Sequence, residues 1–181
     1  PGAVRPPPPS LLATLERAIV FEDGNLLALN KPSGLAAHGG SGVSYGAIEA
    51  LRALRPQQSL ELVHRLDRDT SGILVVAKKR SALLELQALM REGEDEEAPN
   101  KRYLTLLVGK MPQGTMTVEA PLLRLTGKGG DRSVRVDPKG KPSVSHFKLL
   151  ERRSGHSFCE VIIETGRTHQ IRVHAQHIGH P

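Results

Sequence analysis

The sequence predicts an α+β domain, with a mixed and mostly antiparallel sheet flanked by helices. Three observations carry this prediction. Short apolar or alternating runs separated by Gly- and Pro-rich turns fill the second half, among them "KRYLTLLVG", "TMTVEAPL", "SVRVD", "SVSHFKLLE" and "SFCEVIIE". Two stretches of helical spacing, "SYGAIEALRAL" and "SALLELQALMRE", alternate with strand-like runs in the first half. A third, "TGRTHQIRVHAQHIGHP", has the spacing and end signals of a capped helix.

Taken in order, Pro6 to Pro9 donate no backbone hydrogen bond and favour an extended chain, so residues 1–10 are expected to be a linker and 11–181 one domain. "IVFEDGNLLALNKP" sets two apolar runs around an Asp-Gly-Asn turn, a β-hairpin pattern. Ser44 is the expected N-cap of the first helix, whose Ile48, Leu51 and Leu54 share a face. "VHRLDRDTSG" then turns the chain into "ILVVAKK", expected as a buried strand. After the second helix, the acidic run "EGEDEE" (Glu92 to Glu97) is expected to be a poorly ordered loop. In the last segment Thr168 is the expected N-cap. Ile171, Ala175 and Ile178 lie on one face, and Gly179 and Pro181 end the helix.

Composition narrows the function. Aromatics make up only 3% and there is no Trp, so the core is aliphatic, and the shortage argues against single-strand binding by broad base-stacking platforms. The single cysteine, Cys159, excludes an intramolecular disulfide, in keeping with a reducing cytosol. No apolar run reaches membrane-spanning length, and "PGAVRPPPPS" lacks the centre of a signal peptide. The net charge is +6 although the acidic run alone holds five carboxylates; elsewhere the chain is strongly basic, which favours a polyanionic partner.

Among candidate chemistries, a metal site lacks its spacing. Four of the eight histidines fall at 169, 174, 177 and 180, but 169–181 contains no Glu, Asp or Cys, and histidines on a basic helix more often meet phosphate or water. "HGGSGVS" lacks the Gly-Lys-Ser/Thr ending of a phosphate loop, and no G-x-S-x-G elbow marks a serine nucleophile. The carboxylates of "VHRLDRDTSG" remain. Asp69 and Thr70 suit the turn, while Asp67 at a strand entrance can point into a cleft. There it stays ionised only beside cations or donors, which arginines such as those of "GRTHQIRVH" could supply.

"HRLDRDTSGILVVAKK" resembles the catalytic motif of the pseudouridine synthases of the RluA type. "LALNKPSGLAAHGG", "KRYLTLLVG" and "TGRTHQIRVHAQHIGHP" resemble three further motifs of that family, in the expected order, so the likeness covers residues 19 to 181. "HGGSG" and "LRALRP" are most similar to bacterial members acting on 23S ribosomal RNA. "VRPPPP" resembles the linker after an S4-type RNA-binding domain, and family chains usually continue past "GHP". The resemblance therefore implies an S4-type domain before residue 1 and a catalytic domain that is incomplete at its C-terminus.

What it implies for chemistry is specific. Asp67 matches the catalytic aspartate, which attacks the target uridine or assists departure of its base while the uracil turns and reattaches through C5. Tyr103 matches the tyrosine that stacks on the base, and Arg172 the arginine that keeps the carboxylate charged and oriented. Ile171 matches the aliphatic lining of the base pocket, and Arg65 the arginine that fills the space left by the flipped nucleotide. Lys31, Lys101 and Arg167, with Lys78, Lys79, Arg80 and Arg102, are expected to neutralise phosphates. Isomerisation is redox-neutral, so no cofactor and no metal are expected. The implied partner is 23S rRNA or a large-subunit assembly intermediate, met by a cytoplasmic monomer. A tRNA substrate and a catalytically silent RNA-binding or ribosome-assembly module are the alternatives. The resemblance gives His64 no role.

Overall fold

A computed structural model describes residues 5–40, 42–91, 101–126 and 132–181; the acidic run at 92–97 lies outside the described residues. The chain forms two compact units, Pro1–Met90 and Arg91–Pro181. Every strand pairing among the described residues is antiparallel, so the α+β prediction holds.

The first unit opens with helix α1 (Pro9–Ala18), which the polyproline reading of residues 1–10 did not anticipate. Proline suits the first helical position because the amide it lacks would be unpaired there, and Leu11, Leu12 and Leu15 fall on one face. Strands β1 (Ile19–Glu22) and β2 (Leu26–Lys31) form the expected hairpin. Its turn is closed by Asp23, whose carboxylate accepts the Asn25 and Leu26 amides at 2.7 and 2.8 Å.

Helix α2 (Ala47–Leu54) starts at Gly46 rather than at Ser44. The reason is a close approach: a Cβ on Gly46 would stand 2.6 Å from the Ala36 carbonyl oxygen and 2.7 Å from His38 Cα, so only glycine fits. The Glu49 carboxylate accepts the Gly46 amide at 2.7 Å and the Gly39 amide at 3.0 Å, tying the helix start to the preceding loop.

Strands β3 (Glu61–Leu62) and β4 (Gly72–Ala77) complete a sheet of order β1-β2-β4-β3, and helix α3 (Arg80–Met90) follows. Leu27, Leu29, Leu74 and Val76 on one sheet face bury against Leu15, Ile48 and Leu51 of α1 and α2. Val75 and Ala77 meet Leu83 and Leu86 of α3 on the other. "ILVVAKK" is therefore not buried throughout: Ile73 remains 52% exposed. Arg55, just after α2, joins Glu16 of α1 and Glu22 of β1 through four hydrogen bonds of 2.7–3.2 Å.

The second unit is built on a sheet of order β5-β10-β9-β6, from β5 (Lys101–Val108), β6 (Thr115–Glu119), β9 (Val144–Arg153) and β10 (His156–Ile163). The hairpin β7 (Leu122–Thr126) and β8 (Arg132–Val136) stands as a separate ribbon. β9 and β10 turn through Ser154 and Gly155, both at positive φ, as a two-residue hairpin with right-handed twist requires. Helix α4 (Gln170–His177) buries Ala175, with Ile171 and Ile178 beside it, against Phe147, Cys159 and Val161, as its spacing predicts.

Candidate active site

In the first unit Asp67 sits in a turn whose closing bond runs from the Thr70 amide to the Asp67 carbonyl at 3.1 Å. The turn is fastened at its next residue. The Arg68 carbonyl accepts the Gly34 amide at 2.9 Å and the Lys31 ammonium at 3.0 Å. Lys31 is fully buried, and its other two donors reach the Pro32 and Leu35 carbonyls at 2.9 and 2.6 Å. Burial pushes its pKa down, and the carboxylates of Asp69 and Asp67 pull it back up. Lys31 is thus the clamp of the turn and not a phosphate contact, which corrects the expectation for it. Lys78 is corrected likewise, its ammonium held by the Glu22 carboxylate at 2.6 Å and the Asp23 carbonyl at 2.7 Å.

Two histidines order the approach to Asp67. The His64 ring accepts the Val75 amide at 3.0 Å, extending by a side chain the ladder whose preceding bond runs from the Val63 amide to the Val75 carbonyl. Arg65 donates to Nε2 of His38 at 2.9 Å. Arginine has no acceptor, so that nitrogen is bare and Nδ1–H donates to the Gly39 carbonyl at 2.6 Å.

In the second unit Tyr103 lies on the inward side of β5, and it and Ile171 of α4 each pack against the same hydrophobic cluster. Lys101 shares that side of β5, and a Cβ on Gly166 would stand 3.8 Å from its ammonium. Arg167 is anchored by its Nε–H to the Pro142 carbonyl at 3.1 Å, and Arg172 is exposed on α4. The structure therefore gathers Lys101, Tyr103 and Ile171 in one unit, while Asp67 and Arg65 belong to the other. Among the described residues no three His, Cys, Asp or Glu side chains group closely enough to hold a metal.

A family model for RNA pseudouridylate synthase matches residues 25–177, a span that contains every one of these side chains. The chain belongs to the RNA pseudouridylate synthase family. Ribosomal large subunit pseudouridine synthase C of Vibrio cholerae is 54% identical over 181 residues, covering 97% of this chain and 55% of the relative. The Escherichia coli protein of the same name is 53% identical over 171 residues, 94% of this chain and 52% of that one. The chain spans about half the length of the curated relatives it matches. Human RNA pseudouridylate synthase domain containing 4, a solved structure, superposes with a TM-score of 0.75 at 26% identity, over 95% of this chain and 69% of that one.

Within this chain the last motif is organised by a side chain that the sequence reading passed over. Gln170, 3% exposed, accepts at Oε1 from the Thr165 hydroxyl (2.7 Å) and the Arg167 amide (3.0 Å). Its Nε2 donates to the Val144 carbonyl and the Ser145 hydroxyl, both at 2.9 Å. That hydroxyl lies 2.8 Å from Nδ1 of His174, whose Nε2–H donates to the Ala120 carbonyl at 2.9 Å. Because Gln170 holds the Arg167 amide, the loop runs one residue further than expected and the helix is capped by His169 in a left-handed conformation, φ 55°, instead of Thr168. His174 is fully buried in this network, unlike the phosphate- or water-facing placement expected for histidines of this helix. Burial is also what lowers its pKa. Its position beside Ile171, Ala175 and Ile178 on the core face of α4 was the signal available in the sequence.

Proposed function

We propose that this chain isomerises uridine to pseudouridine in 23S ribosomal RNA, with Asp67 as the catalytic nucleophile. The observation that carries the reading is the family match over residues 25–177, together with relatives named for the large ribosomal subunit at 53–54% identity. Support from within the first unit comes from the turn at Asp67, fixed by a buried ammonium and a backbone amide on the Arg68 carbonyl. A reacting carboxylate gains from such fixity, since its geometry is set before substrate arrives.

In this reading the bond from N1 to the ribose breaks and a bond from C5 to the ribose forms. The C5 hydrogen leaves as a proton and N1 ends protonated, so no oxidant or reductant is needed. Tyr103 is assigned to stack on the uracil, Ile171 to line its pocket, and Arg172 to keep the carboxylate ionised. Arg65 is assigned to fill the space left by the extruded nucleotide, because a stacked helix hides the glycosidic bond.

The test is to map pseudouridines in ribosomal and transfer RNA from a strain lacking the gene. Loss of sites in large-subunit rRNA, restored by the wild-type gene and not by Asp67→Ala, is the expected result. Loss confined to tRNA overturns the substrate, and an unchanged map overturns the enzyme reading in favour of a silent RNA-binding module.

A further inference from the structure

Beside the β7–β8 ribbon, wholly within the second unit, lies a cavity of about 460 Å³ whose charge is one-sided. Arg124, Lys139, Lys141 and Arg167 line it, and among the described residues lining it none is an acid. The two acids closest in sequence are engaged: Asp137 accepts the Arg135 guanidinium at 2.8 Å and the Lys139 backbone amide at 2.9 Å, and the Glu164 carboxylate lies 2.6 Å from Nε2 of His146. Arg124, Lys139 and Lys141 gathered at one concavity repel one another, and an anion seated among them lowers that cost.

The walls that carry these cations are fixed by backbone. Arg124 pairs directly across the ribbon with Val134, so both side chains project from one face. Lys141 exchanges two backbone hydrogen bonds with Leu122, each of 2.9 Å, which seats the turn carrying Lys139 and Lys141 against β7. The approach there is so close that a Cβ on Gly140 would stand 2.4 Å from the Leu122 carbonyl carbon. Arg167 is held from the opposite side by the Pro142 carbonyl and the Gln170 side chain. The volume lies in the range of small-ligand pockets, roughly 300–1,000 Å³, and Val134, on the same face as Arg124, gives it an apolar wall.

We propose that this pocket seats one phosphodiester-linked nucleotide of the RNA. Arg124, Lys139 and Lys141 take the phosphate, and Val134 faces the sugar or base. The proposal rests on the reading of this chain as an RNA-modifying enzyme, but its test reads binding and not isomerisation.

Binding of a 23S rRNA transcript to the full chain is measured between about 50 and 200 mM salt, a range over which phosphate contacts dominate the change in affinity. Arg124→Gln/Lys141→Gln is expected to weaken binding at least about tenfold at low salt and to flatten the salt slope by about one to two. Lys139→Gln alone, which alters only an exposed turn, is expected to flatten it by about one. Lys110→Gln/Lys148→Gln, which removes two exposed charges of the same unit outside the pocket, is expected to stay within about twofold of wild type. Pocket variants that bind as wild type does, a control pair that loses as much as they do, or a wild type that fails to bind, each overturn the proposal. A wild type that binds as described but leaves the uridines unchanged overturns the catalytic reading alone.

Discussion

The ammonium of Lys31 donates to the carbonyl of Arg68 at 3.0 Å, joining the end of β2 to the turn that presents Asp67. Lysine is seldom fully buried, and it is tolerated here because three carbonyls absorb its three donors. Lys31→Met keeps the apolar stem but strands those carbonyls. It is expected to cost about 1–3 kcal/mol in urea unfolding and to raise hydrogen exchange at the Thr70 amide, which closes the Asp67 turn. Unchanged exchange at Thr70 would remove Lys31 as the clamp.

Two acid transitions are expected, one in each unit. In the second unit burial holds the His174 pKa below the ordinary 6.5, so the native ring stays neutral while the unfolded ring takes up a proton. A lowered folded pKa means that this contribution to stability is present above pH 6.5 and falls as pH drops below it. Urea midpoints measured downward from pH 8 should therefore decline below about 6.5. His174→Gln should flatten that decline.

In the first unit the Arg55 and Lys78 side chains hold Glu22 down to a pKa of about 2 against an ordinary 4.5. This contribution is complete above pH 4.5 and is lost as pH falls toward 2. Glu22→Gln should remove the part of the acid sensitivity that sets in below about pH 4.5, read by exchange at amides of β1 and β2. A variant with an unaltered acid profile would contradict the ion network as the cause.

Arg65 is expected to depend on His38. Their hydrogen bond of 2.9 Å fixes the guanidinium before RNA arrives, and a net hydrogen bond of about 0.5–1.5 kcal/mol corresponds to roughly two- to tenfold in affinity. His38→Phe should weaken binding of a 23S rRNA transcript by that factor, and in the Arg65→Ala background it should add nothing. Full additivity of the two substitutions would show that the pair does not act as one.

Much of the architecture was legible because period and punctuation agree. The Asp-Gly-Asn turn, the alternating runs of the second half and the apolar face of α4 all appear where the sequence puts them. Boundaries failed where another contact outweighs the expected cap: a close backbone approach at Gly46, and the Gln170 side chain on the Arg167 amide before His169. The candidate residues were named from motifs, but which cations are buried was not legible. Lys31 and Lys101 look alike in a sequence, and only tertiary contacts bury one among carbonyls and leave the other on a strand near Gly166. The network of Thr165, Gln170, Ser145 and His174 escaped notice because Ser145 of β9 lies 25 and 29 residues from Gln170 and His174, the α4 side chains it joins. His64 acquires its role only when β4 folds back beside it.

The central claim is that the Asp67 carboxylate performs the isomerisation. Tritium release from 23S rRNA labelled at uracil C5 tests it most directly, since the C5 hydrogen leaves only if the new carbon–carbon bond forms. Wild type is expected to release tritium, and Asp67→Ala to bind the same RNA with release at the level of the no-enzyme control. Release by Asp67→Ala at the wild-type rate would contradict the account.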